Sequence, residues 1–263
     1  MVDFQCDSSY TVEDLRKIIA LLRSEQGCPW DREQTHESIR RNFLEEAYEA
    51  CEAIDKGDWV LLREELGDVL TQVIFHARIE EEEGRFTLDD VADHTCKKLI
   101  FRHPHIFGDA KADDTQAVME AWDKLKRQEK QQETVTQSMQ AVAQSLPATW
   151  RAEKVQDKAR KTGFDWPCVL GALDKLEEEL QELKEAISTG QGVPEEVGDL
   201  LFSAVNVARF LEVDPEEALH QTTDKFVARF DQLEQAALNM GRELESLSPA
   251  EMEALYQAGK LRL

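Results

Sequence analysis

The chain carries one acidic pattern twice. Leu44-Glu45-Glu46-Ala47-Tyr48-Glu49 is followed by Glu65-Leu66-Gly67-Asp68, and Glu178-Glu179-Leu180-Gln181-Glu182 by Glu196-Val197-Gly198-Asp199. Each copy leads into an apolar segment, so the pattern calls for a fold made by duplication, with two similar domains in tandem. The repeat reaches beyond the acids. Gly27 and Trp30 recur as Gly163 and Trp166, and Lys98 and Arg102 in KLIFR recur as Lys225 and Arg229 in KFVAR.

Almost every long segment has helical periodicity, and period-two alternation rich in β-branched residues is nearly absent. The expected fold class is all-α: two tandem helical bundles, each with a four-helix core. Helices are expected near 11–25, 36–56, 58–83, 88–102 and 115–132. In the second half they are expected up to 161, then near 169–188, 194–211, 215–240 and 249–259. The 263 residues suit two domains. We place them at 1–130 and 147–263, around a linker at 131–146 that is rich in Gln, Thr and Ser.

A formal charge of -23 opposes non-specific binding to nucleic acid or an anionic membrane, so neither is an expected partner. Cys6, Cys28, Cys51, Cys96 and Cys168 are scattered without a CxxC pair, which points away from a disulfide framework or thiolate zinc site. The opening residues MVDFQCDSSY lack the basic and apolar regions of a signal peptide, and no stretch approaches the length of a membrane span. The expected location is the cytoplasm.

On the first acidic helix, Glu45, Glu46 and Glu49 fall within an arc of about 100°, apart from the apolar side chains. Such a face is either solvated glutamate or a carboxylate cage. Asp199 and Asp68 tip the balance, because each begins a segment apolar nearly all round and is expected to be buried. A buried, ionised carboxylate needs a cation or several donors. Oxygen-only ligands suit Mg²⁺ or Mn²⁺. The histidines fit worse: Glu33-Gln34-Thr35-His36 has no partner motif, and His36, His103 and His105 read as polar or capping residues. A metal-loaded cage would receive phosphate, with Lys225 and Arg229, or Lys98 and Arg102, one turn apart as clamps. Gly67 and Gly198, recurring inside ExxD, suggest a close helix contact.

EExxE followed by ExxD, with GCPWD, LEEAYE, ELGDVL, FRHPHIF and GFDW, resembles the all-α nucleoside triphosphate pyrophosphohydrolases, and among them the tandem MazG-like group. The resemblance covers nearly the whole chain. It implies Mg²⁺-dependent hydrolysis of a nucleoside triphosphate to monophosphate and pyrophosphate by a helical homodimer. Carried over by position, Glu178, Glu179, Glu182, Glu196 and Asp199 hold metal and catalyse in the second domain, with Glu45, Glu46, Glu49, Glu65 and Asp68 as first-domain equivalents. Lys225 and Arg229 contact phosphates. The family's C-terminal copy is the one credited with activity. Tyr256 stands where family members place a tryptophan against the base, followed by Lys260; Trp30 and Trp166 are further base-pocket candidates. A competing reading is a non-enzymatic helical regulator that binds nucleotide or protein and uses the cages as structural metal sites. It explains helices and acidity but not the recurring Lys-xxx-Arg pairs.

Overall fold

The computed structural model describes residues 6–110 and 114–260. It is helical, with no strand among the described residues. The chain divides into two compact units, Met1–Lys126 and Arg127–Leu263. No helix among the described residues is long and apolar enough to cross a membrane.

The first unit begins with α1 (Val12–Leu22), whose N-terminal orphan amide is met by the Thr11–Asp14 capping box. This helix stops before the expected position because Gly27 folds back onto its end. A Cβ on Gly27 would lie 2.2 Å from the Leu21 carbonyl oxygen, so only glycine fits. Short α2 (Pro29–Glu33) leads to α3 (His36–Lys56), capped by Thr35. Gly57, at φ 64°, ends α3, and the Asp58 carboxylate accepts from Val60 and Leu61 N–H to start α4 (Trp59–Glu82). That turn makes α3 and α4 an antiparallel hairpin. Next come α5 (Leu88–Arg102), α6 (Pro104–Phe107) and α7 (Thr115–Glu129). Ile19, Ile39, Ile74, Phe75 and Ile79 form the core, with Leu15, Leu70 and Leu88 against it. The core therefore joins α1, α3, α4 and α5, the expected four helices.

In the second unit α8 (Val135–Gln140) occupies the stretch read as a linker and packs against α9 (Ala148–Arg160). Its Thr134–Gln137 capping box explains why a Gln- and Thr-rich segment is helical here. The second hairpin is α10 (Val169–Thr189) and α11 (Val193–Phe210). Gly190 and Gly192, at φ 72° and 74°, turn the chain between them, and Pro194 opens α11 where no amide donor is needed. α12 (Pro215–Asn239) starts at Asp214, which also accepts from the Trp150 indole at 3.0 Å. The Gln156 side chain donates to the Phe202 carbonyl at 2.8 Å, tying α9 to α11. α13 (Pro249–Lys260) closes on α12. Here Gly259 lets the two approach: a Cβ there would sit 3.0 Å from Gln232 Oε1.

Two expectations fail. The ExxD helices are apolar but not buried on every side: Leu66, Leu201 and Phe202 are exposed, and so are Asp68 and Asp199. One flank of each ExxD helix is exposed, so its aspartate has access to water. Gly67 and Gly198 are not packing sites either, since a Cβ at either would meet nothing within 4 Å. Both glycines face open space next to the aspartates.

Candidate metal centres

Each hairpin brings carboxylates from its two helices together. In the first unit Glu46 and Glu49 of α3 meet Glu65 of α4, with ligand oxygens all within 4.8 Å of one another. In the second, Glu179 of α10 meets Glu196 and Asp199 of α11 within the same limit. Helical spacing makes this possible, since positions three apart share a face. Glu65 and Glu179 are the buried acids, at 9 % and 5 % exposure. The partly buried glutamates at the centre, not the terminal aspartates, therefore carry the desolvation cost.

The electrostatics draw in the remaining motif acids. Burial, then the charges of Asp68, Glu49 and Glu65, hold the Glu46 carboxyl above its ordinary range. Burial, then Glu49 and Asp68, do the same for Glu65. In the second unit burial, then Asp199 and Glu179, push Glu196 up. Glu182 is raised by burial and next by a hydrogen bond with Glu179. Four acids thus act on one another in each unit: 46, 49, 65 and 68, and 179, 182, 196 and 199.

Glu45 and Glu178, the first acids of each motif, stand outside these clusters. Arg41 Nε is 3.2 Å from Glu45 and Lys175 Nζ is 2.9 Å from Glu178. Lys175 also reaches buried Glu179, at 2.8 Å. Both carboxylates hold the ammonium well above its ordinary pKa, Glu179 more strongly than Glu178. The sequence reading missed Lys175; its spacing of three and four residues before two glutamates was the available signal.

The proposed clamps differ between units. Arg102 is buried, its guanidinium 5.3 Å over the Trp122 ring. Lys98 is half-buried on the same helix. On α12 Lys225 is exposed and Arg229 half-buried, with an Nε that has no hydrogen-bond partner. Tyr256 of α13 sits 5.9 Å from Phe226 of α12, on the helix that carries Lys225 and Arg229. The side chain of Lys260 lies outside the described residues. Trp166 lies against the start of α10, its ring 3.0 Å from where a Gly171 Cβ would be; Trp30 is exposed.

A histidine pair also went unread. His36 Nδ1 and His76 Nδ1 are 2.7 Å apart, their rings 8° from parallel and centroids 4.9 Å apart. Those values fit rings meeting edge to edge in one plane, not face to face. His36 Nε2 is 2.5 Å from Glu80 Oε1. Hydrogen bonding from Arg85 first, and His36 second, lowers the Glu80 pKa to about 2. His103, by contrast, takes the expected capping place at the end of α5.

The donor set is oxygen only, convergent and partly desolvated, which fits a hard divalent cation and gives little to a soft one. Fold and site together define an all-helical protein in which each of two domains presents such a carboxylate centre. The chain belongs to the MazG family: the family model for the MazG nucleotide pyrophosphohydrolase domain matches residues 34–107 and 170–233. Both matched segments contain a full acidic motif and its Lys-xxx-Arg pair. Over 248 residues the chain is 44% identical to the Thermotoga maritima nucleoside triphosphate pyrophosphohydrolase/pyrophosphatase MazG, covering 94% of this chain and 95% of that protein. It is 38% identical over 254 residues to the Escherichia coli K12 nucleoside triphosphate pyrophosphohydrolase, covering 95% and 97%. It also matches Bacillus subtilis YabN at 44% identity, over 93% of this chain and 50% of that longer protein.

Proposed function

We propose that this chain hydrolyses nucleoside triphosphates to monophosphate and pyrophosphate, using Mg²⁺ (or Mn²⁺) held in the second unit by Glu179, Glu182, Glu196 and Asp199. The observation carrying this reading is the meeting of Glu179, Glu196 and Asp199 oxygens within 4.8 Å in a domain of the MazG family. A bound divalent ion would offset the local negative charge and supply Lewis acidity toward phosphoryl oxygens. The protein's own groups do the rest. Lys225, exposed, and Arg229, half-buried and a turn away on α12, bind phosphate oxygens through the ammonium and the outer guanidinium nitrogens. Water attacks the α-phosphorus, the bond to the bridging oxygen breaks, and pyrophosphate leaves. A carboxylate of the same cluster, Glu182 or Glu196, takes the proton of that water. Tyr256 and Trp166 offer aromatic surface to the base.

We also infer a homodimer. Leu180, Ile187, Leu201 and Phe202 of the second hairpin are exposed, as are Leu44, Tyr48 and Leu66 of the first, and a second copy is the occupant that would bury them. All five cysteines are free, which suits the cytoplasm. The test is turnover by purified protein with Mg²⁺, read by phosphorus NMR, in the wild type and in Glu182→Gln. The reading requires equal monophosphate and pyrophosphate from the former and a severe loss in the latter. Nucleotide binding without turnover would favour the regulator.

A further inference from the structure

We propose that Lys175 makes the second carboxylate centre the weaker of the two for a divalent cation, so that the first unit loads metal at lower concentration. The inference rests on reading both clusters as metal sites and concerns how they differ. Lys175 Nζ lies 2.8 Å from an oxygen of Glu179, and Glu179 is both a member of the cluster and its buried acid. Counting back three residues from the first motif acid, α10 has Lys175 and α3 has Asn42. The duplicated helices therefore differ by one full charge at the same register. The cation next to it, Arg41, gives the first centre no equivalent. Its side chain is 86% exposed and its Nε pairs with Glu45, which lies outside the cluster.

An arriving divalent ion meets four motif acids in either unit. In the second it also meets an ammonium within a few ångströms, and Glu179 must release or share that partner to coordinate. The repulsion between a single and a double charge at such a distance, even in a water-like dielectric, is on the order of a tenfold change in affinity. Between the two dissociation constants the first centre is filled and the second is not.

The test is Mn²⁺ titration of the full chain, with free Mn²⁺ read from its paramagnetic resonance signal. Two affinity classes are expected. Glu65→Gln, with Asp68→Asn as an exposed-position repeat, removes the tighter class; Glu196→Gln removes the weaker one. Lys175→Asn tightens the weaker class about tenfold, Lys175→Arg leaves it unchanged, and Asn42→Lys weakens the tighter class. Far-UV circular dichroism confirms that each variant is folded, and Lys175→Met stands in if Lys175→Asn is not. Equal affinities at the two centres, loss of the weaker class in Glu65→Gln, or an unchanged weaker class in Lys175→Asn overturns the proposal while leaving the metal sites intact. Absence of Mn²⁺ binding at either centre overturns the metal reading itself.

Discussion

The two units share a hairpin, a carboxylate cluster and a Lys-xxx-Arg pair, yet the cations are set differently in each. In the first, Arg102 is buried against Trp122, and Asn42 stands where the second unit has Lys175. In the second, Lys175 touches the buried Glu179, and Arg229 keeps an Nε without a partner. The acids and the Lys-xxx-Arg pair recur in both units, while the burial of the arginine differs. A guanidinium held over an aromatic ring contributes packing as well as charge. It is in the second unit that the proposed function places the chemistry.

The sharpest way to break the contrast is to remove one acid from each side. Asp199→Asn is expected to lower kcat by about 10³-fold, and Asp68→Asn to leave most turnover in place, both measured with saturating Mg²⁺. Comparable losses would make the units equivalent. The arginines come next. Arg229→Ala is expected to reduce kcat/KM about 10²-fold with little change in melting temperature. Arg102→Ala is expected to destabilise its unit by about 1–2 kcal/mol, read as faster amide exchange in α3 and α4, with activity retained.

The smallest effect concerns pH. Burial first, and the His36 ring second, lower the His76 pKa below 6.5. The neutral form is then favoured by folding, so this contribution is fully present above the unfolded value and lost as pH falls through the depressed one. Glu80, at about 2, works in the same direction but much lower, losing its contribution only as pH falls toward 2. On the second ExxD helix Val207 and Leu211 stand in place of His76 and Glu80. Between pH 7 and 5, protection against amide exchange should therefore fall more in α3 and α4 than in α10 and α11. His76→Gln should flatten that dependence. Identical pH profiles in the two hairpins would remove the distinction.

Much of this was legible in the residues. EExxE and ExxD are periodic features, and a helix converts fixed spacing into a shared face, so a hairpin with converging acids followed from the repeat. The short helices opened by Pro29 and Pro104 carry too few turns to show periodicity. Which acids converge was less accessible. Glu45 and Glu178 turn to cations four and three residues before them, a competition settled by side-chain rotamers. Burial was inverted, with Glu65 and Glu179 inside and Asp68 and Asp199 exposed, because an apolar run does not reveal which of its flanks is left exposed. The pairing of His36 with His76 spans forty positions, and no local pattern announces it.

The central claim is that a carboxylate centre in the second hairpin directs water to the α-phosphorus. Hydrolysis in ¹⁸O-labelled water, followed by phosphorus NMR of both products, tests it most directly. The account predicts monophosphate and pyrophosphate in equal amounts, with the label on the monophosphate alone and the reaction abolished in Asp199→Asn. Diphosphate with orthophosphate, label on pyrophosphate, or full turnover in that variant would contradict it.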